Sequence, residues 1–314
     1  MSRVGLLCPG QGAQQVGMGV ALRRDFPEAR RVFEEADTAL GLGLAAICAE
    51  GPEALLTDTR VAQPALLTHS VAVVRVLETE QGLEASLAAG HSLGEWSALV
   101  VSGALDLATA VVAVRRRGEF MAETAGAGKG GMTALLGGEV ELVQELCLEA
   151  SLGDEIVVPA NFNGGGQIVV AGHIDALLRL ESLASARRIR CTRLRVSAAF
   201  HSPLMAVAAQ RMEAVVGALM LRDPRFPVLS NVDAKPHTKG EDFRELLVQQ
   251  ITQPVRWQEC GERIAGLCDV ALEIGPGRIL AGLMKRIARG LVCRPLAEPG
   301  EVRDWLLESG GISV

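Results

Sequence analysis

The stretch Leu83–Val100, LEASLAAGHSLGEWSALV, decides how this chain is read. Its opening run, LEASLAAG, is short and apolar and reads as a strand, whereas LGEWSALVVSGAL, from Leu93 to Leu105, reads as a helix. Between them Gly90, Ser92 and Gly94 have the spacing G-x-S-x-G. At a strand-to-helix junction that pattern is a nucleophile elbow. A strained turn exposes the serine hydroxyl, and the next backbone N–H, that of Leu93, can face an oxyanion. The helix N-terminus adds a dipole that favours developing negative charge. Three fixed positions in five residues also arise by chance, so a plain turn serine is the competing reading until the rest of the chain is weighed.

The same strand-then-helix alternation recurs on both sides. Val4–Cys8 is a short apolar run that ends in Pro9-Gly10-Gln11-Gly12, a buried strand entering a tight loop. Helical spacing runs from Pro27 to Ala39, and Pro64 is expected to open a helix that stops at Gly82. Asp106 can cap a further helix, which runs into the glycine cluster at 126–131. That cluster is no phosphate loop, because Lys129 is followed by Gly130 rather than Ser or Thr. Beyond it come a strand at 132–137, a helix at 140–151, strands at 155–162 and 167–172, a helix at 174–186 and a strand at 189–196. The order β-α-β-β-α-β is the ferredoxin-like split unit. The chain then continues through SAAFHSPLM and a helix to about Met220 into a strand at 226–232. A helix around 241–251, a strand at 269–275 and a last helix at 279–288 complete the pattern. Strands alternating with helices predict an α/β sheet, largely parallel, with its site at the strand C-termini. The expected division is a large α/β domain over 1–128 and 197–314, with the ferredoxin-like small domain inserted at 129–196.

Bulk properties narrow the function classes. The 314 residues are 49% hydrophobic and 22% charged, which excludes a disordered chain. A formal net charge of -6 argues against general affinity for nucleic acid or for anionic membrane surfaces. Seven cysteines form no C-x-x-C pair and leave one over, which reads as reduced thiols and gives no metal site. The N-terminal apolar run is too short for a signal peptide, and no 18 consecutive apolar residues occur. A cytoplasmic protein, and a monomer, is expected.

A serine nucleophile needs a base, and the chain has five histidines. His91 adjoins Ser92, but consecutive side chains leave a strand in opposite directions, so it is expected to line the pocket instead. His69 lies in an apolar helical run and reads as a satisfied core or edge histidine. His173, at a strand end, and His237, in the polar loop AKPHTKG, are expected to face solvent. His201, between a small apolar segment and a proline-started helix, is the candidate base. No acid partner is evident. The order Ser, acid, late His of ordinary α/β-hydrolases fits poorly, and backbone or amide groups are left to orient the imidazole.

Taken together, PGQGAQ, GHSLGEWSALV, RRRGEFM, NFNGGGQIVVAG, AAFHSPLM, SNVDAKP, QPVRW and EIGPGRIL resemble, in order and separation, the malonyl-CoA:acyl carrier protein transacylases of fatty acid and polyketide synthesis. The resemblance covers essentially the whole chain. It implies an α/β-hydrolase-like large domain with an inserted ferredoxin-like small one, malonyl-CoA as substrate, acyl carrier protein as partner and no bound cofactor. Residue by residue it implies Ser92 as nucleophile, His201 as base and the N–H groups of Gln11 and Leu93 as oxyanion hole. Arg117 would pair with the free malonyl carboxylate, since a guanidinium offers two parallel charge-assisted hydrogen bonds that lysine does not. Arg115 and Arg116 point elsewhere, because successive helix positions differ by about 100°. The main chain of Gln250 would orient His201. Gln63 and Asn163 are pocket candidates that also read as cap or turn residues. Phe200 resembles the malonyl-selecting members, where bulk crowds a 2-methyl group. Arginines 187, 188, 190 and 193 are candidates to meet an acidic carrier. Trp96 stands where the family has tyrosine, and Cys8 where an aromatic is common. Two other readings stay open: a serine thioesterase or esterase that uses water alone, and a non-catalytic carrier-docking module.

Overall fold

Ten strands carry the architecture among the described residues, which in this computed structural model are 2–124, 129–196 and 198–310. They are β1 (Val4–Cys8), β2 (Leu87–Gly90), β3 (Gly130–Leu136), β4 (Val157–Gly164), β5 (Gln167–His173), β6 (Arg190–Arg193), β7 (Val228–Leu229), β8 (Pro236–His237), β9 (Val270–Ile274) and β10 (Val292–Leu296). Every residue of β1 and β2 is buried, as expected of central parallel strands covered on both faces. The large sheet has the order β10-β9-β1-β2-β7-β8 and is parallel except for the β7–β8 pair. Cys8 pairs with Gly90, so the loops leaving β1 and β2 emerge side by side. Because β2 lies on one side of β1 and β9 on the other, a crevice opens at the strand C-termini.

The second sheet, β4-β5-β3-β6, is antiparallel throughout, which is the ferredoxin-like order. Alternation along β3 separates its faces. Leu135 packs with Val143 and Leu177 of the covering helices, whereas Met132 and Ala134 pack with Ala199, Phe200 and Leu204. A short parallel bridge ties the two parts: Phe162 N–H donates to the Val255 carbonyl at 2.9 Å, and Val255 N–H to the Ala160 carbonyl at 2.8 Å.

Several sequence expectations need correction. The helix expected to open at Pro64 spans Thr59–Gln81, because the Asp58 carboxylate caps it by accepting the Arg60 N–H at 2.9 Å. Pro64 lies inside this helix, where the N–H it lacks would have met the carbonyl of Arg60. β2 begins at Leu87 rather than Leu83, and the strand expected at 226–232 shrinks to Val228–Leu229. Ile279–Ile287 is not the last helix, since β10 and the helix Pro299–Gly310 follow it. Pro295 disguises β10 in the sequence but is tolerated because β10 is the edge strand. The helix Trp257–Leu267 was not anticipated. The glycine cluster expected at 126–131 begins outside the described residues, as does residue 197 of SAAFHSPLM.

Neither histidine expected to face solvent does so freely. His173 Nδ1 accepts the Ile156 N–H at 3.0 Å, and the ring of His237 sits between Asp233 and Asp242 at 3.2 and 3.1 Å. His69 is fully buried with Phe33 edge-on to its ring, but neither ring nitrogen has a hydrogen-bond partner, so it is a core residue without being a satisfied one. No helix among the described residues is long and apolar enough to cross a membrane, and none of their His, Cys, Asp and Glu side chains cluster as a metal site.

Candidate active site

The elbow forms because two glycines permit contacts that any side chain would block. A Cβ on Gly90 would lie 1.9 Å from the Gly94 carbonyl carbon, and one on Gly94 would lie 2.0 Å from the Cys8 carbonyl oxygen. Between them Ser92 adopts φ 52° and ψ −107°, a conformation that side-chain-bearing residues rarely take. Asn231, just past β7, holds it there. Its Oδ1 accepts the Ser92 N–H at 2.7 Å while its Nδ2 donates to the Gly90 carbonyl at 2.7 Å.

His201 arrives on a second strained residue, at φ 57°, and places Nε2 2.7 Å from Ser92 Oγ. Its Nδ1 lies 2.7 Å from the Gln250 carbonyl oxygen, which can only accept. The proton therefore sits on Nδ1, leaving the Nε2 lone pair to face the serine hydroxyl. Burial, reinforced by the Arg117 charge, lowers the His201 pKa to about 3, so the ring is neutral near pH 7. Base and hydroxyl are thus poised for proton transfer without a carboxylate partner.

Of the three consecutive arginines only Arg117 turns inward, and it is 1% exposed. Arg115 and Arg116 pair with Glu119 at the surface. Arg117 Nη1 donates to Gln63 Oε1 at 2.8 Å, and Nη2 donates to Gln250 Oε1 at 2.9 Å and to Ser92 Oγ at 3.2 Å. All three acceptors are neutral. Desolvation lowers the Arg117 pKa to about 10, which leaves it a cation beside the serine.

Ser92, His201 and Arg117 open onto a cavity of about 480 Å³ at the crevice between the two sheets. Gln11, Gln63, His91, Leu93, Asn163 and Phe200 also line it. Gln250 does not, because it is fully buried behind the serine and acts through its contacts. Gln11 Nε2 donates to Thr59 Oγ1 at 2.9 Å, which fixes the β1 loop against the helix that carries Gln63. His91 Nε2 lies 2.9 Å from Asn163 Oδ1, a bond across the cleft from elbow to small sheet. Arg187 and Arg193 pair with Glu149 and Glu181, so two of the four candidate docking arginines are tied within the small unit.

Two residues of the site escaped the sequence reading. Asn231 lies 139 positions beyond Ser92, and no local pattern joins them. Glu95 was visible as a charge in an otherwise apolar helix start, and the structure buries it completely. Its Oε2 accepts the Asn231 N–H at 3.0 Å and the Gln250 Nε2–H at 2.6 Å, and burial raises its pKa to about 7.

An α/β-hydrolase-like fold with a serine–histidine pair at the strand C-termini defines the class of this protein. The chain belongs to the acyl transferase domain family, whose profile matches residues 6–291. It is 41% identical over 301 residues to a malonyl CoA-acyl carrier protein transacylase from Bacillus subtilis, covering 95% of each chain. It also superposes on a malonyl-CoA:acyl carrier protein transacylase from Xanthomonas oryzae with a TM-score of 0.95 at 41% identity, covering 98% of each chain. A malonyl-transacylase in complex with a type II polyketide synthase acyl carrier protein has a TM-score of 0.95 at 39% identity, covering 98% of this chain and 100% of that one.

Proposed function

We propose that this chain transfers a malonyl group from malonyl-CoA to the phosphopantetheine thiol of acyl carrier protein through a malonyl ester on Ser92. The observation that carries the reading is the buried guanidinium of Arg117, 3.2 Å from the Ser92 hydroxyl that His201 faces. A nucleophile beside a fixed cation suits an acyl group that bears its own carboxylate.

His201 Nε2 takes the Ser92 proton as Oγ attacks the thioester carbonyl, and the backbone N–H groups of Gln11 and Leu93 receive the oxyanion. The C–S bond breaks, and coenzyme A leaves as the thiol with the proton from His201. The waiting malonyl carboxylate takes over the Arg117 Nη2 contact now made to Ser92. In the second half His201 deprotonates the carrier thiol, its sulfur attacks the ester, and Ser92 recovers the proton. Phe200 crowds a 2-methyl substituent, and Gln63, His91 and Asn163 shape the acyl pocket. The names of the relatives support malonyl-CoA and acyl carrier protein as the two substrates, and seven cysteines without a disulfide among them suit the cytoplasm as its compartment.

Intact-mass measurement after mixing with malonyl-CoA tests this. A malonyl adduct should form, vanish on adding holo acyl carrier protein, and be absent from Ser92→Ala. An adduct surviving Ser92→Ala, or one lost to water as fast as to carrier, would sink the proposal, the second result favouring a thioesterase.

A further inference from the structure

We infer that Glu95 is the counter-ion of Arg117, acting through the side-chain amide of Gln250, and that it limits how strongly the pocket attracts an acyl carboxylate. The inference deepens the reading of Arg117 as a carboxylate clamp and rests on it.

The geometry points this way at each link. Arg117 is buried, yet every acceptor it touches is neutral. A buried cation is retained only where an opposite charge offsets its desolvation. Glu95, itself fully buried, provides that charge one residue removed when it is ionised, which with a pKa raised to about 7 means above neutral pH. The Gln250 amide stands between them with a fixed sense: Nε2–H donates to Glu95 Oε2 at 2.6 Å and Oε1 accepts from Arg117 at 2.9 Å. The reverse sense would set Oε1 against the acceptors Glu95 Oε2 and the Ser92 carbonyl, the latter now 3.0 Å from Nε2. The amide dipole is therefore aligned along the line from cation to anion.

An incoming carboxylate changes the balance. Once it sits on Arg117, two anions share one cation, so the substrate displaces Glu95 as the partner of the guanidinium. The groups facing Glu95 are Arg117, Gln250, the Asn231 N–H, Ser230 and Cys260. A neighbouring like charge raises a carboxyl's proton affinity, and burial has already brought Glu95 to about 7. Malonyl binding should drive Glu95 to take up a proton.

Glu95→Gln separates charge from hydrogen bonding. Glu95 accepts both of its close hydrogen bonds at Oε2, and the Ser230 side chain also faces the carboxylate, so a glutamine can keep its oxygen on Asn231 and Gln250 and put its amino group in the other place. The expected result at pH 8, where Glu95 is ionised, is counter-intuitive: the kcat/KM preference for malonyl-CoA over acetyl-CoA rises about tenfold, because Arg117 loses its resident anion. A merely structural Glu95 would let Arg117 drift and lower that preference. An unchanged or lowered preference in a folded variant, judged by thermal melting, overturns the inference. Arg117→Ala run in parallel keeps the two readings apart. If that variant retains the malonyl preference, the clamp itself fails; if it loses the preference while Glu95→Gln changes nothing, only the counter-ion fails. Should Glu95→Gln not fold, titration calorimetry on Ser92→Ala in buffers of different ionisation enthalpy decides. Proton uptake on binding malonyl-CoA but not acetyl-CoA is expected near pH 7, and equal uptake for both overturns the inference.

Discussion

Burial, rather than ion pairing, sets the protonation of the groups around Ser92. His201 has no carboxylate to raise its pKa, and desolvation and the Arg117 charge both act downward, to about 3. A base must be neutral to accept a proton, so the sign is clear. As pH falls from 8 to 5 the ring stays competent, whereas a histidine at an ordinary pKa of about 6.5 would lose most of its activity over that range. In Glu95→Gln, which removes the carboxyl that titrates near 7, the acylation rate with acetyl-CoA should therefore be flat down to pH 5; a midpoint between pH 6 and 7 would contradict it. Some of this site was open to sequence reasoning and some was not. Ser92 announces itself because glycines at two residues on either side imply a close turn, whereas Arg117 was singled out by the family resemblance, helix geometry adding only that one of three consecutive arginines can face the pocket. Asn231 gave no such signal and Glu95 only that of a lone charge at an apolar helix start, since an asparagine past a strand and one glutamate on a helix acquire their partners only when the chain closes over them.

Elements with strong periodicity read correctly from the chain, while those defined by their neighbours did not. β1, the ferredoxin-like run from β3 to β6 and the helix Pro27–Leu40 match the sequence expectation to within a few residues, because apolar spacing alone specifies them. The two-residue strands β7 and β8 exist only through pairing, and the start of the helix Thr59–Gln81 is set by the Asp58 cap overriding a proline. The elbow is the element on which the site depends, and its glycines can be tested against another. Gly94→Ala forces a methyl to within 2.0 Å of the Cys8 carbonyl oxygen, backbone that yields only by moving β1 from the elbow helix. A loss of about 3 kcal/mol by urea denaturation is expected, together with loss of acylation. Gly282→Ala, at an exposed position of the helix Ile279–Ile287 with nothing within 4 Å, should instead stabilise by about 0.5–1 kcal/mol. Equal responses at the two positions would refute the close-approach argument.

At the scale of the molecule the site needs both sheets. The large sheet supplies the crevice and the Ser92 turn, and the small one supplies Asn163, bonded to His91, and the β4 edge paired with Val255. The alternation of strands and helices made this two-part plan legible; the cross-links between the parts were not, because each joins residues more than 70 positions apart. Closing the core in this way buries His69 and His201 and half-buries His91, in each case with desolvation as the main force lowering the pKa. Their folded forms resist protons that the unfolded chain accepts below pH 6.5, so each adds stability above that pH which is lost as pH falls toward its folded pKa. Glu95 and Glu273 act oppositely, since their raised folded pKa values mean that acidification toward 4.5 favours the folded state. With contributions of both signs, the diagnostic quantity is the difference made by one group. His69 is the suitable one, being far down at about 4 and without hydrogen-bond partners to lose. Between pH 6.5 and 5 it should remove about 1.5 kcal/mol of stability. His69→Leu keeps the packing against Phe33 and deletes that contribution. Urea midpoints at the two pH values should therefore converge in the variant relative to the parent by that amount, and an identical pH dependence in both proteins would show that His69 is protonated in the folded state.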